Sequence, residues 1–389
     1  MREDVKRKEG RRGDEASRFT FHVSSLLKDV SRSFYLTLRV LPGKVRSPIG
    51  LAYLLARTTD TIADTELVAP QQRLEALQAL RERIQGRRDV PLDFGALAQR
   101  QGSRAERVLL EECEASLTLL RELPAADAQL VREVLNTITS GQELDLRRFA
   151  GASARALVSL RTDEELDDYT YRVAGCVGEF WTRICRAHLF PRPRLDDAFL
   201  LANAVRFGKG LQLVNILRDV AADLRLGRCY LPAERLAAFD LKPEDLLQPG
   251  TEPRLRPLYG AYLDRAAAQL QAGWAYTNAL PRGSVRVRLA CAWPILIGWE
   301  TLKRLRNGNA LDPARRIKVS RGQVRQLMLR SVLLYPWPRT WEKMVPAGGH
   351  AVTAAVPLTP ALSPSAGARE NYPQSLGPPS PPPRGRGPR

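Results

Sequence analysis

Between residues 19 and 336, apolar side chains return every three or four positions almost without a break, and that period belongs to the α-helix. QQRLEALQALRERI (Gln71–Ile84), RVLLEECEASLTLLREL (Arg107–Leu123) and YGAYLDRAAAQLQAGWAYTNAL (Tyr259–Leu280) show it clearly. No stretch alternates convincingly with the period of two that a half-buried strand requires. The helices are punctuated by LPGK at 41–44, AP at 69–70, LPAAD at 123–127, PRPR at 191–194 and QPG at 248–250. Thr162 and Glu165 have the spacing of a capping box at the start of a further helix. A chain patterned in this way is all-α, and no linker-like composition divides it, so residues 19–336 form one domain.

The ends differ in texture. Residues 1–18, MREDVKRKEGRRGDEASR, have no apolar run and read as a disordered basic arm rather than a signal peptide. From Trp337 onward lie 12 of the 28 prolines, and residues 337–389 read as a Pro-rich disordered tail. LACAWPILIGW (Leu289–Trp299) is uncharged but about half the ~20 residues of a spanning helix, which makes it a buried helix. The uncharged run 344–368 is broken by four prolines and cannot form a lipid-exposed helix.

The formal charge of +18 calls for an anionic partner: nucleic acid, a membrane surface or a phosphorylated small molecule. The arm holds seven basic residues against five acidic and the tail six against two, so about two thirds of the excess lies in the body. No nucleic-acid recognition motif accompanies it, which leaves nucleic acid resting on charge alone. Five scattered cysteines and three histidines indicate neither a zinc site nor a disulfide framework, and a reducing cytoplasm is the expected compartment.

Two stretches carry chemistry. In LARTTDTIADT, Asp60 and Asp64 stand four residues apart, with Tyr53 and Arg57 on the same helical face. In LVNILRDVAADL, Asp219 and Asp223 repeat the spacing beside Arg218, with Gln212 and Asn215 earlier on the stripe. Like charges at this spacing repel unless a cation joins them, and Mg²⁺ suits one or two carboxylates completed by water and phosphate oxygens. Two such helices facing each other would hold several Mg²⁺ ions around a diphosphate, with Arg57 and Arg218 adding positive charge. Asp163 and Asp167 have the same spacing, but at an acidic helix start, where negative charge is favoured in any case. The chemistry implied is ionisation of an allylic diphosphate in a dry apolar cavity. VAGCVG (Val173–Gly178) and FGKG (Phe207–Gly210) supply small residues, either to line that cavity or to let helices pack closely.

With these residues in view, the sequence resembles the squalene and phytoene synthases, the head-to-head prenyl transferases, over about residues 24–330. The resemblance lies in SRSFYLTLRVLP, YLLARTTDTIAD, YTYRVAGCVG and QLVNILRDVAADLRLGRCYLP. It implies a single-domain isoprenoid-synthase helical bundle with a central cavity. Asp60, Asp64, Asp219 and Asp223 match its Mg²⁺-diphosphate ligands. Ser31, Ser33, Tyr53, Arg57, Gln212, Asn215 and Arg218 fall where the family contacts diphosphate or metal, and Phe34 where it lines the prenyl cavity. Tyr169 matches the tyrosine implicated in forming the cyclopropyl intermediate, with Tyr171 its rival. Ala63 and Ala222 stand where many members carry a further acid.

CAWPILIGWETL followed by RRIKVSRGQVRQLM resembles a squalene-synthase block, whereas GQELDL (Gly141–Leu146) is closer to phytoene synthases. The first implies a squalene synthase that condenses two farnesyl diphosphates and reduces the product with NADPH. No Rossmann fingerprint is present, so Arg315, Arg316, Lys318 and Arg321 are the candidate nicotinamide contacts. Alternatives are a phytoene or dehydrosqualene synthase, an enzyme stopping at presqualene diphosphate or hydroxysqualene, and a non-catalytic membrane-surface protein. Lipid substrates and positive charge imply peripheral association with the cytoplasmic membrane face.

Overall fold

The computed structural model describes residues 26–28, 30, 32–191, 194–314 and 317–346, all within one compact unit. The expected arm at 1–18 and residues 347–389 of the expected tail lie outside the described residues. Beyond helical residues 26–28 and 30, fifteen α-helices follow in order among the described residues. They are α1 (Arg32–Val40), α2 (Gly43–Asp64), α3 (Pro70–Ile84), α4 (Gly95–Gln99), α5 (Arg104–Glu111), α6 (Cys113–Glu122) and α7 (Ala125–Arg148). Next come α8 (Asp163–Thr170), α9 (Cys176–His188), α10 (Asp197–Arg225), α11 (Ala233–Ala237), α12 (Glu252–Ala279), α13 (Val285–Asn307), α14 (Arg321–Leu334) and α15 (Pro338–Glu342). The fold is all-α. Among the described residues one pair of strands, β1 (Val158–Ser159) and β2 (Arg228–Cys229), is two residues long and parallel.

Thr162 caps α8 as its spacing predicts, its hydroxyl accepting from the Glu165 amide at 3.4 Å. The reciprocal half of the box is diverted: Glu165 accepts from the Arg161 amide at 2.8 Å and from the Arg161 guanidinium. Between α8 and α9 the chain makes one π-helical turn, Tyr171–Gly175. Such turns insert a residue into the helical register and are frequent at functional sites.

Apolar side chains form two clusters. One joins α2, α3, α7 and α9 through residues such as Leu54, Leu55, Leu77, Leu135 and Ile184. The other joins α10, α12 and α13 through Leu213, Leu217, Tyr259, Leu263 and Ile295. Tyr259 donates its hydroxyl to the Leu217 carbonyl at 2.8 Å, fixing α12 on α10. The uncharged LACAWPILIGW stretch is a buried part of α13, as its length implied, and all five cysteines are free and buried.

Gly175, Gly178 and Gly208 serve the close approach of α10 to the segment before it, and Gly210 serves its approach to Gln269 on α12. A Cβ at Gly208 would lie 2.2 Å from the Ala174 carbonyl oxygen, and one at Gly178 would lie 2.1 Å from that of Ala204. The obstacles are backbone and cannot swing aside. Gly208→Ala should therefore destabilise by about 1–3 kcal/mol as α10 is forced away, seen as a lower Tm. An unchanged Tm would mean the crossing is looser than these distances imply.

The body extends past its expected end. Trp341 on α15 is 2% exposed, stacks on Trp274 at 5.0 Å and donates to Asn278 at 2.7 Å. The tail boundary placed at 337 is thus moved by about ten residues: Pro338 begins a helical turn that delivers an indole to the core.

Candidate active site

One cavity of about 890 Å³ opens among α2, α7, the π turn, α10 and α13. Ten sequence-derived candidates line it: Tyr53, Arg57, Asp60, Asp64, Tyr169, Gln212, Asn215, Arg218, Asp219 and Asp223. Much of its remaining wall is apolar, with Ile49, Ile138, Val177, Phe180, Phe207 and Ile297 among the lining residues. Gly178 and Gly208 also border it, so close packing and lining coincide at these two positions.

Each aspartate pair holds one arginine of its own helix. Arg57 pairs with Asp60 and donates to Glu106 on α5 at 2.6 Å. Arg218 grips both oxygens of Asp219, at 3.1 and 2.5 Å. Burial pushes the Asp60 carboxyl above its usual range against the pull of Arg57. The second aspartate of each pair is pushed to about 7, Asp64 by loss of hydration and then by Asp60, Asp223 by loss of hydration and then by Asp219. Arg228, just after α10, partly offsets the rise at both, which ties the two pairs into one electrostatic unit. Burial would lower the Arg228 guanidinium, but Tyr230, Asp145 and Asp64 outweigh it.

Asp163 and Asp167 differ. Asp163 receives Tyr262 at 2.8 Å and Arg265 at 3.0 Å, and Asp167 receives Lys209 at 2.6 Å and Arg265 at 3.2 Å. Their charges are already matched, and they clamp α8 to α10 and α12.

Tyr169 is 9% exposed and lines the cavity, whereas Tyr171 points its hydroxyl to Glu179 at 3.3 Å and is not among the lining residues. The Tyr169 ring stacks on Tyr230 at 4.9 Å, and Tyr230 donates to Asp145 at 2.8 Å. The other Asp145 oxygen, Oδ1, is buried without a partner. Burial pushes the Asp145 carboxyl to about 6 and the Tyr169 phenol well above its usual value. Gln142, Asp145, Arg228 and Tyr230 all line the cavity and were not singled out from sequence. The signals available were GQELDL at 141–146 and GRCYLP at 227–232, shortly after the second aspartate motif.

Two further candidates lie apart from the cavity lining. Lys318 and Arg321 are exposed and outside the lining, and Arg315 and Arg316 lie outside the described residues. Ser31, and the side chains of Ser33 and Phe34, also lie outside the described residues.

The donors fit Mg²⁺ by chemistry. They are hard carboxylate and amide oxygens with no histidine or thiolate, and the raised Asp64 and Asp223 carboxyls mark where positive charge is wanting. No group of three His, Cys, Asp or Glu side chains among the described residues could hold a metal ion alone. Water and substrate oxygens would have to complete the shell, which is how Mg²⁺ is usually held.

These raised carboxyls have a consequence for stability. Between about pH 4 and 7, the folded metal-free chain holds protons at Asp64 and Asp223 that the unfolded chain has released. Their contribution is therefore fully present below pH 4 and is lost as pH rises through about 7. In chelator, Asp64→Asn/Asp223→Asn should match the parent Tm at or below about pH 4 and exceed it by a margin that grows up to about pH 7–8. A margin that stays level with pH would show that these carboxyls are ionised without penalty.

The sequence matches the profile of the squalene/phytoene synthase family over residues 27–323. The chain belongs to the squalene/phytoene synthase family. This is a family of prenyl transferases with the all-α isoprenoid-synthase fold. A bifunctional lycopene cyclase/phytoene synthase of Gibberella fujikuroi is 29% identical over 305 residues, covering 76% of this chain and 50% of that protein. The chain thus spans about half the length of such bifunctional relatives. Presqualene diphosphate synthase of Rhodopseudomonas palustris is 30% identical over 254 residues, 65% of this chain and 77% of that one. Among solved structures, squalene synthase HpnC from Alicyclobacillus acidocaldarius superposes with a TM-score of 0.54 at 21% identity, covering 75% and 95% of the two chains. That likeness supports the fold.

Proposed function

We propose that the chain joins two farnesyl diphosphates head to head, forming a cyclopropylcarbinyl diphosphate. The observation that carries this reading is the convergence of both aspartate pairs, Arg57 and Arg218 on one cavity whose remaining wall is largely apolar. Its volume of about 890 Å³ is near the upper end of the ~300–1,000 Å³ range of small-molecule pockets, which suits two prenyl chains. Asp60, Asp64, Asn215, Asp219 and Asp223 would hold Mg²⁺, which when bound neutralises the departing diphosphate. Arg57, Arg218, Tyr53 and Gln212 orient the diphosphate oxygens, with Ser31 and Ser33 assigned the same task by resemblance. The apolar walls keep water from the allylic cation, and Phe34 is assigned to them by resemblance. Tyr169 faces the reacting carbons and takes part in proton removal as the three-membered ring closes.

Completion to squalene with NADPH is the finer reading. It is supported by the C-terminal sequence block, part of which borders the cavity through Val324 and Met328. A product released at presqualene diphosphate is favoured instead by the Rhodopseudomonas relative. Incubation with farnesyl diphosphate and Mg²⁺, with and without NADPH, separates them by mass spectrometry. Squalene only with NADPH supports the first, presqualene diphosphate in both samples supports the second, and no C30 product at all removes the whole proposal.

No helix among the described residues is long and apolar enough to cross a membrane. Because substrate and product are lipidic, we place the protein peripherally on the cytoplasmic membrane face.

A further inference from the structure

Helix α14 has two dissimilar faces. Toward the interior, Val324 and Met328 line the cavity, and fully buried Ser331 accepts from the Trp293 indole at 3.0 Å. Toward the outside, Leu329, Val332 and Leu333 are 61%, 47% and 59% exposed, and Trp337 just beyond the helix is 61% exposed. Leu329 and Leu333 are one turn apart, so they form a strip rather than scattered apolar residues. Arg325 continues the strip by one turn toward the helix start, and exposed Arg321, Arg330 and Arg339 flank it. Arg282 donates to the Pro336 carbonyl at 3.0 Å, bringing another guanidinium beside Trp337. No acidic residue occurs from Pro313 to Trp341.

We propose that this face seats α14 on an anionic lipid bilayer, the apolar strip entering the headgroup boundary while the arginines meet lipid phosphates. The inference refines the membrane placement above and rests on that reading, although vesicle binding itself requires no catalysis. Charge selects the occupant. A second copy pairing through the same patch would set a strip that holds arginines and no acid against another of the same kind. An apolar strip flanked by arginines, with an indole at its edge, matches the chemistry of the interface of an anionic membrane. With the cavity directly behind the same helix, docking also shortens the path of a C30 product from its site of formation to lipid.

The test is co-flotation of the full chain with vesicles of phosphatidylcholine alone or mixed with phosphatidylglycerol, at low and high salt. Binding should require the anionic lipid and weaken with salt. Leu329→Ser/Leu333→Ser/Trp337→Ser should lower vesicle affinity at least tenfold, and Arg325→Gln/Arg330→Gln should flatten the salt dependence. Leu67→Ser, at a residue 73% exposed elsewhere, should change nothing. All replaced side chains are exposed, so Tm and prenyl transfer in detergent should stay at parent values. Parent-like binding by the triple variant, or no binding by the parent, overturns the proposal. So does a dimer in sedimentation velocity that the triple variant abolishes, because the strip would then be a contact between copies. Vesicle binding without prenyl transfer in detergent would remove the proposed reaction and leave this surface standing.

Discussion

Asp219→Asn is expected to lower kcat on farnesyl diphosphate by about 10²–10³-fold, the scale on which loss of one charge-stabilising group slows a reaction. The substitution keeps size and shape but removes the anion that Arg218 grips through both oxygens. Arg218 is then an unmatched cation, and the cavity loses one of the carboxylates offered to Mg²⁺. The Mg²⁺ concentration for half-maximal rate should rise together with the loss in kcat. Asp163→Asn provides the contrast, since its carboxylate is matched by Tyr262 and Arg265 and faces no reacting atom. Breaking that partly buried cluster should cost stability, up to about 3 kcal/mol, and lower Tm while the folded fraction turns over normally. If Asp219→Asn kept kcat within about twofold while Asp163→Asn lost it, the assignment of the two acidic spacings would be reversed.

The contrast also shows what the sequence could and could not disclose. Helical period and spacing were enough to put Tyr53, Arg57, Asp60 and Asp64 on one stripe and Gln212, Asn215, Asp219 and Asp223 on another, and both stripes line one cavity. Spacing alone does not distinguish Asp163/Asp167 from these pairs. What distinguishes them is the arrival of Arg265 and Lys209 from helices about 40–100 residues away. Asp145 and Tyr230 were illegible for the same reason: each is an ordinary residue in its own segment, and their bond spans 85 residues. The choice between Tyr169 and Tyr171 was equally hidden, because the π turn that begins at Tyr171 changes the register in which side chains face the cavity. The tail boundary failed locally: proline content dominated the reading, and one indole packed on Trp274 outweighed it.

Tyr169→Phe is the second large effect, expected to reduce kcat by about 10²–10⁴-fold, the usual contribution of a positioned proton-transfer group. The replacement retains the ring, so stacking on Tyr230 at 4.9 Å and any cation–π attraction persist, and only the hydroxyl is lost. That hydroxyl cannot be a standing phenolate, since burial holds its proton well above the ordinary phenol range. A relay from it would run through Tyr230, whose ring stacks on Tyr169 and whose hydroxyl donates to Asp145, 2.8 Å away. The balance is one C–H bond broken, one cyclopropane bond formed and one proton delivered to a carboxylate. Asp145, pushed to about 6 with one oxygen unpartnered, is a reasonable terminus near neutral pH. The relay requires Tyr230→Phe and Asp145→Asn to slow the same step as Tyr169→Phe, and their effects in combination to be far less than multiplicative. Should Tyr169→Phe retain its rate while Tyr169→Leu loses it, the ring rather than the hydroxyl acts, and the proton must leave through the diphosphate.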